Sequence, residues 1–332
     1  MVFRSLVMGC ALVLSVVVYG EEGCKVPIIY SSDLYHPHND PDDHFDLMTL
    51  FGMAEFDIRA IIIDTGKEGK ARPGVVAVKQ MMHIAGRDVP LAVGLDENLA
   101  TRGDTCAGQP EKVQGGVELI LKVLREAERP VTIFVTGSLR DVAAAFNRDG
   151  ELFRKKVSRM YVNAGHSSGK HEWNVNLDPH AHVRILRSGL PVYWVPCFGD
   201  NAYASYWKFK QGDVLDAAPR AVQNFFVYAL TKADPKKQDP IAALEADPDP
   251  AVTKKLWALD RNMWCTGAFL DAAGLPHSSF DFADVRVEVG DDGMTVLTED
   301  ADGVVLKTFH VLAPETYGEE MTKALKDTAC SF

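Results

Sequence analysis

Val26-Pro27-Ile28-Ile29-Tyr30-Ser31-Ser32-Asp33-Leu34-Tyr35-His36-Pro37-His38-Asn39-Asp40-Pro41-Asp42-Asp43-His44-Phe45-Asp46-Leu47-Met48-Thr49-Leu50-Phe51 runs from an apolar stretch, through a polar loop, into a helical pattern. The short apolar run predicts a strand over Ile28–Ser31. Phe45, Leu47, Met48, Leu50 and Phe51 predict a helix over Asp42–Ala54. Between them lie aspartates at 33, 40, 42, 43 and 46 and histidines at 36, 38 and 44. Carboxylates gathered where a strand ends repel one another unless a cation or protons compensate. A hard metal ion with oxygen ligands accounts for them most simply. Asp42 and Asp43 are also suited to capping a helix and complementing its dipole. Asp40 and Asp46 are expected to be solvated or capping rather than ligands.

Strands and helices alternate outward from this segment. Strands are expected at Ile58–Ile63, Val89–Val93, Val131–Val135, Arg159–Val162 and Val192–Val195. Helices are expected at 75–85, 113–128, 139–146, 152–156 and 179–188. Continuous apolar strands in a βαβα rhythm imply an α/β, Rossmann-like, mainly parallel sheet with helices on both faces. Residues 205–275 read as mostly helical, with an exposed loop at 234–249. Phe280–Thr298 and Val304–Leu312 alternate like C-terminal antiparallel strands. In such folds ligands bind at the carboxyl ends of the strands. Asp64-Thr65-Gly66, Thr136-Gly137-Ser138, Asn163-Ala164-Gly165-His166 and Cys197-Phe198-Gly199-Asp200 follow successive strands, which suggests one shared crevice.

The chain has 332 residues, 47% of them hydrophobic, and a net charge of -11. That balance argues against nucleic acid or an anionic membrane as partner. Residues 1–20 read as a signal peptide, with Arg4 ahead of an apolar run from Ser5 to Val18. The expectation is a secreted or periplasmic protein with no stable membrane span after cleavage, and one α/β domain over 21–332. Cys24, Cys106, Cys197, Cys265 and Cys330 lack metal-ligand spacing. One or two disulfides are compatible with export, with the pairing open.

Five segments in order resemble the inosine–uridine nucleoside hydrolase family. Asp33 and Asp42-Asp43 resemble the aspartates of its D-x-D-x-x-x-D-D motif, with Ser31 in the first position and a longer loop between. Val131-Thr132-Ile133-Phe134-Val135-Thr136-Gly137-Ser138-Leu139 looks like its strand-T-G-x-L segment, and Arg159–Gly165 like its next strand and glycine turn. Glu172-Trp173-Asn174-Val175-Asn176-Leu177-Asp178-Pro179-His180-Ala181 is similar to E-F-N-x-x-x-D-P-x-A. The resemblance implies Ca²⁺-assisted hydrolysis of the N-glycosidic bond of a small-molecule riboside. It implies metal binding by Asp33, Asp43 and the Thr136 carbonyl, and proton abstraction from water by Asp33. Asp42, Glu172 and Asn174 would hold ribose hydroxyls, with Asn163 and Trp173 as further crevice candidates. Dimers and tetramers are common in the family, so a homo-oligomer is a further expectation.

The family's late His-Asp pair is replaced by Trp264-Cys265, and a thiolate is a poor Ca²⁺ ligand. Trp264 is then expected on the substrate's leaving-group side. A substitute general acid is sought in the long loop, with His36 and His38 as candidates. Two other readings stay open, the first favoured by the missing pair and the second by the aspartate–histidine loop. One is a non-catalytic ribose- or nucleoside-binding relative; the other is a phosphoesterase with His36 and His38 on one transition-metal ion.

Overall fold

The computed structural model describes residues 25–65, 69–200 and 202–332. The signal-peptide segment and Cys24 lie outside the described residues. The strands are β1 (Val26–Ser32), β2 (Phe56–Ile63), β3 (Leu91–Val93), β4 (Val131–Val135), β5 (Val157–Asn163), β6 (Val192–Val195), β7 (Trp207–Lys210), β8 (Asp260–Met263), β9 (Phe280–Val289), β10 (Thr295–Leu297) and β11 (Val304–Val311). Nine of them form one sheet in the order β10-β9-β11-β6-β5-β4-β1-β2-β3. Strands β3, β2, β1, β4, β5, β6 and β11 run parallel, whereas β9 pairs antiparallel with β11 and β10.

Burial on both faces explains the uninterrupted apolar strands. Ile28 and Tyr30 enter one core with Phe134, Tyr161 and Val195. Ile29 enters the other with Ile133, Val135, Met160 and Val162. Helices Asp42–Gly52 and Val75–Ala85 cover the first face, and Gly115–Glu126 and Arg140–Arg148 the second.

The chain leaves β1 toward β2 and β3 on one side and later returns to place β4, β5 and β6 on the other. The carboxyl ends of β1 and β4 therefore form a topological switch point, where adjacent connections diverge and leave a crevice. The Thr136 N–H donates to the Ser31 carbonyl at 2.8 Å, and the Asp64 N–H to the Ser32 carbonyl at 2.8 Å, so the ends of β1, β2 and β4 are tied together.

Three details differ from the sequence-based expectation. Strand β3 begins at Leu91 rather than Val89, because Pro90 has no N–H for the ladder. Residues 205–275 contain a two-stranded antiparallel sheet, β7 with β8. A helix at Pro314–Ala329 follows β11 and packs on the Asp42–Gly52 helix. Cys106, Cys197, Cys265 and Cys330 are all free thiols. Among the described residues no helix is long and apolar enough to cross a membrane.

Candidate active site

A cleft of about 340 Å³ opens at the switch point, lined by Asp33, Asp42, Asp43, Thr136, Asn163, Glu172, Trp173, Asn174, Trp264 and Cys265, among others. The end of β1 supplies Asp33, and the first turn of the following helix supplies Asp42 and Asp43. Thr136 follows β4, Asn163 ends β5, and Glu172 to Asn174 open the helix Trp173–Leu177. Gly137 allows the β4 turn to approach the first loop. A Cβ there would stand 2.5 Å from the Asp33 backbone nitrogen.

Asp43 is held through one of its oxygens. Ser32 Oγ donates to its Oδ1 at 2.5 Å. Thr136 Oγ1 lies 3.0 Å from the same oxygen and 2.9 Å from the Tyr30 hydroxyl. Asp33 Oδ2 accepts from Trp173 Nε1 at 3.1 Å. No donor among the described residues reaches Asp33 Oδ1 or Asp43 Oδ2. Burial, then the charge of Asp43, holds the Asp33 carboxyl well above the usual carboxylate range. The same causes raise Asp42, and burial pushes Asp43 up to about 6. The cleft thus concentrates acids whose ionisation calls for compensating positive charge.

Glu172 caps its helix. Its carboxylate accepts from the backbone N–H of Gly165, Asn174 and Val175 at 2.8, 3.1 and 3.2 Å. Asn174 Nδ2 donates to the carbonyls of Thr136 at 3.2 Å and Asn163 at 2.9 Å, tying β4 to β5 and leaving its Oδ1 for the cleft. Asn163 is buried, with neither amide atom partnered among the described residues, and Trp264 Nε1 is likewise unpartnered. Buried amides are normally satisfied, so polar groups of a ligand are the natural complement. Trp264 packs against Phe198 and Tyr206 with ring centroids 5.7 and 5.8 Å away, forming an aromatic wall.

His36 and His38 are the corrections to the predicted set. Neither lines the cleft. Both are 5% exposed and pack into the helical layer. His36 Nε2 lies 2.7 Å from the Ala233 carbonyl, and its ring stacks on Tyr228. His38 sits against His44, 5.2 Å between centroids. Among the described residues neither ring nitrogen of His38 has a well-formed hydrogen bond, and the Ala229 carbonyl faces the ring only loosely. Burial lowers His38 to about 4 and also lowers His36 and His44. The Pro37 turn folds these apolar-faced rings inward, since the rings of Phe225 and Tyr228 offer them more contact than water does. That removes the geometry expected of either a leaving-group acid or a transition-metal phosphoesterase. Among the described residues no three Asp, Glu, His or Cys side chains are already gathered at metal-holding distance.

Sequence reading also missed supporting residues. Ser32 and Tyr30 hold Asp43, whereas the buried hydroxyl of Ser31 has no partner among the described residues. Arg140 is buried and bonds Asp64 Oδ1 and Asp178 Oδ2, both at 3.4 Å, and the Leu95 carbonyl at 3.1 Å. Asp64 Oδ2 in turn accepts from the Ser138 N–H at 2.8 Å. Asp178 also caps the helix Pro179–Leu186, accepting from the Ala181 N–H at 3.0 Å. The Asp-Pro part of the motif is therefore a brace beneath the cleft. An arginine two residues beyond Ser138, at the start of an apolar helical run from Val142 to Phe146, was the available signal.

Fold and site together define an α/β protein with an acidic crevice at its switch point. The chain belongs to the inosine-uridine preferring nucleoside hydrolase family, whose sequence model matches residues 37–320. Pyrimidine-specific ribonucleoside hydrolases RihA from Enterobacter sp. (strain 638) and Citrobacter koseri are each 29% identical, over 50% of this chain and 58% of theirs. The chain thus spans a little over half the length of these curated relatives. Among solved structures, the plant nucleoside hydrolase PpNRh1 shares the fold with a TM-score of 0.60 at 19% identity, covering 92% of this chain and 98% of that one. An inosine-guanosine nucleoside hydrolase does so with a TM-score of 0.57 at 21% identity, covering 91% and 98%. A Bacillus anthracis inosine-uridine preferring enzyme gives 0.54 at 16% identity, covering 91% and 99%.

Proposed function

We propose that this protein hydrolyses the N-glycosidic bond of a ribonucleoside or related riboside. The observation that carries the reading is the cleft itself: Asp33, Asp43 and Asn174 line it together with Asn163, whose buried amide has no partner among the described residues. Free carboxylate and amide groups so placed suit a polyhydroxylated ring better than an apolar ligand. Asp42, Asn163, Glu172 and Asn174 hold the ribose hydroxyls. Asp33 Oδ1 takes a proton from the attacking water, whose oxygen bonds to the anomeric carbon as the bond to the aglycone breaks. The remaining carboxylates stabilise the oxocarbenium-like centre.

The donors fit a hard cation: buried, mutually repelling carboxylates with one oxygen each to spare, beside the Thr136 turn. Asp33, Asp43 and the Thr136 carbonyl would hold it, and Ca²⁺ is the ion proposed. Such an ion supplies acidification of water and an anchor for sugar hydroxyls. Trp173, Phe198 and Trp264 face the aglycone. No histidine among the described residues lines the cleft, so the favoured aglycone departs without protonation from a side chain. The protein is proposed to be exported, on the charge and apolar pattern of residues 1–20.

The test is release of free ribose from p-nitrophenyl riboside, uridine and inosine with Ca²⁺ present. Turnover is expected, fastest on p-nitrophenyl riboside. Tight riboside binding without ribose release would replace the hydrolase reading by that of a non-catalytic binder.

A further inference from the structure

Asp46 lies one turn beyond Asp43 on the same helix, at the i+3 position that shares its face. It is 1% exposed, and neither carboxylate oxygen has a hydrogen bond of ordinary geometry among the described residues. Its neighbours are the Cys265 thiol, a weak donor, and the acidic Asp43. Cys265 lines the cleft and precedes the helix Thr266–Ala273, making no side-chain cap to it. The Tyr30 hydroxyl donates to Asp43 Oδ1 at 3.5 Å, on the side of the helix that Asp46 shares. An exposed or capping aspartate would need no explanation. A buried one with two bare oxygens does, because an uncompensated carboxylate is among the costliest groups to bury. Asp46 lies behind the cleft wall, in contact with Cys265, which lines it, and the unpartnered amide of Asn163 in that cleft independently marks the cleft as built for a ligand.

We infer that Asp46 is a ligand of the cleft's divalent cation, held together with Asp43, and that Cys265 beside it is not. This rests on the cation-dependent reading above and adds a carboxylate from within the helix. Thiol sulfur is soft and suits Ca²⁺ badly, whereas Asp46 offers hard oxygen at the same place. The contact between the two side chains also means that a carboxylate at position 265 reaches the volume Asp46 now fills.

The experiment is calorimetric titration of the ion-free protein with Ca²⁺, alongside ribose release. Asp46→Asn is expected to weaken Ca²⁺ binding by about tenfold or more. Cys265→Ala is expected to bind nearly as wild type does. The double variant Asp46→Ala/Cys265→Asp is expected to recover most of the affinity lost in Asp46→Asn. Should Asp46→Asn not fold, the double variant decides alone: folded and binding supports the inference, while unfolded or non-binding overturns it. Wild type that binds Ca²⁺ with an equally tight Asp46→Asn variant overturns the inference and leaves the hydrolase reading standing. The same holds if Cys265→Ala loses as much affinity as Asp46→Asn. Wild type that binds no Ca²⁺ overturns the inference whatever the turnover. Ca²⁺ binding lost in Asp46→Asn, with no riboside hydrolysed by wild type, overturns the hydrolase reading alone.

Discussion

The loop from Asp33 to Asp43 and the helix it enters present two kinds of titratable side chain to two surroundings. Asp33, Asp42 and Asp43 face the cleft, while His36, His38 and His44 face the helical layer. Burial pushes both sets toward their neutral forms, raising the acids and lowering the imidazoles. The difference lies in what surrounds them. Hydroxyls of Ser32 and Thr136 donate to one oxygen of Asp43, and the Trp173 indole donates to one oxygen of Asp33. The histidines meet Phe225, Tyr228 and one another, contacts that reward a flat apolar ring. Equal burial therefore marks chemistry on one side and packing on the other.

The largest expected effect separates the two sides by activity. Asp43→Ala should lower kcat/KM by on the order of 10³, the scale of removing a preorganised electrostatic group. His38→Gln should leave kcat/KM close to wild type. Steady-state ribose release from both variants checks this. A His38→Gln loss matching that of Asp43→Ala would break the division.

Acid titration separates them by sign. His38 falls from 6.5 unfolded to about 4 folded, so between those values the unfolded chain binds the extra proton. Its contribution is complete above pH 6.5 and is lost as pH falls toward 4, by about 3 kcal/mol at 1.36 kcal/mol per unit. The acids act oppositely in the ion-free protein: their raised folded values cost stability as pH rises above the ordinary carboxylate range. Urea midpoints at pH 4.5 and 7 should therefore show His38→Gln gaining on wild type in acid and Asp43→Asn losing on it. A gap between wild type and His38→Gln that stays constant with pH would refute the assignment of His38.

Gly137 tests how closely the acidic side depends on backbone approach. An alanine Cβ would meet the Asp33 backbone nitrogen at 2.5 Å and the Asp33 Cβ at 2.8 Å, neither of which is a flexible chain end. Gly137→Ala should cost about 2 kcal/mol of stability, as overpacking does. It should also lower kcat more than Gly86→Ala, whose site meets nothing within 4 Å and reports only the strain of a left-handed residue. Equal losses in the two variants would mean that the Thr-Gly turn has no special relation to Asp33.

Much of this was legible in the residues because parallel strands buried on both faces leave an unbroken apolar record. β4 and β6 match their expected limits for that reason. Asp33, Asp42, Asp43, Thr136, Asn163, Glu172, Asn174 and Trp264 follow strand ends or open helices, and the structure brings them to one cleft. What failed was orientation within the long loop. Sequence spacing cannot tell whether an imidazole turns toward a crevice or toward Phe225. The same limit hid Asp46, whose helix position fits a solvated acid until the strands beneath it and the Thr266–Ala273 helix are in place. Arg140 was missed because its partners, Asp64, Leu95 and Asp178, converge only through the tertiary fold.

The smallest effect concerns the rim of the acidic side. Trp173 is 52% exposed, yet its Nε1 donates to Asp33 Oδ2 at 3.1 Å. That hydrogen bond lowers the Asp33 carboxyl against the burial that raises it. Trp173→Phe keeps an aromatic face for the aglycone and removes only the donor. A hydrogen bond to a charged group contributes about 1.5–3 kcal/mol when buried, and half-exposure of the indole reduces this to roughly 1 kcal/mol. The Asp33 carboxyl should then titrate higher, and the acid limb of the kcat/KM profile should move to higher pH with little change in KM for p-nitrophenyl riboside. A raised KM with an unmoved acid limb would instead make Trp173 a stacking wall whose contact with Asp33 is incidental.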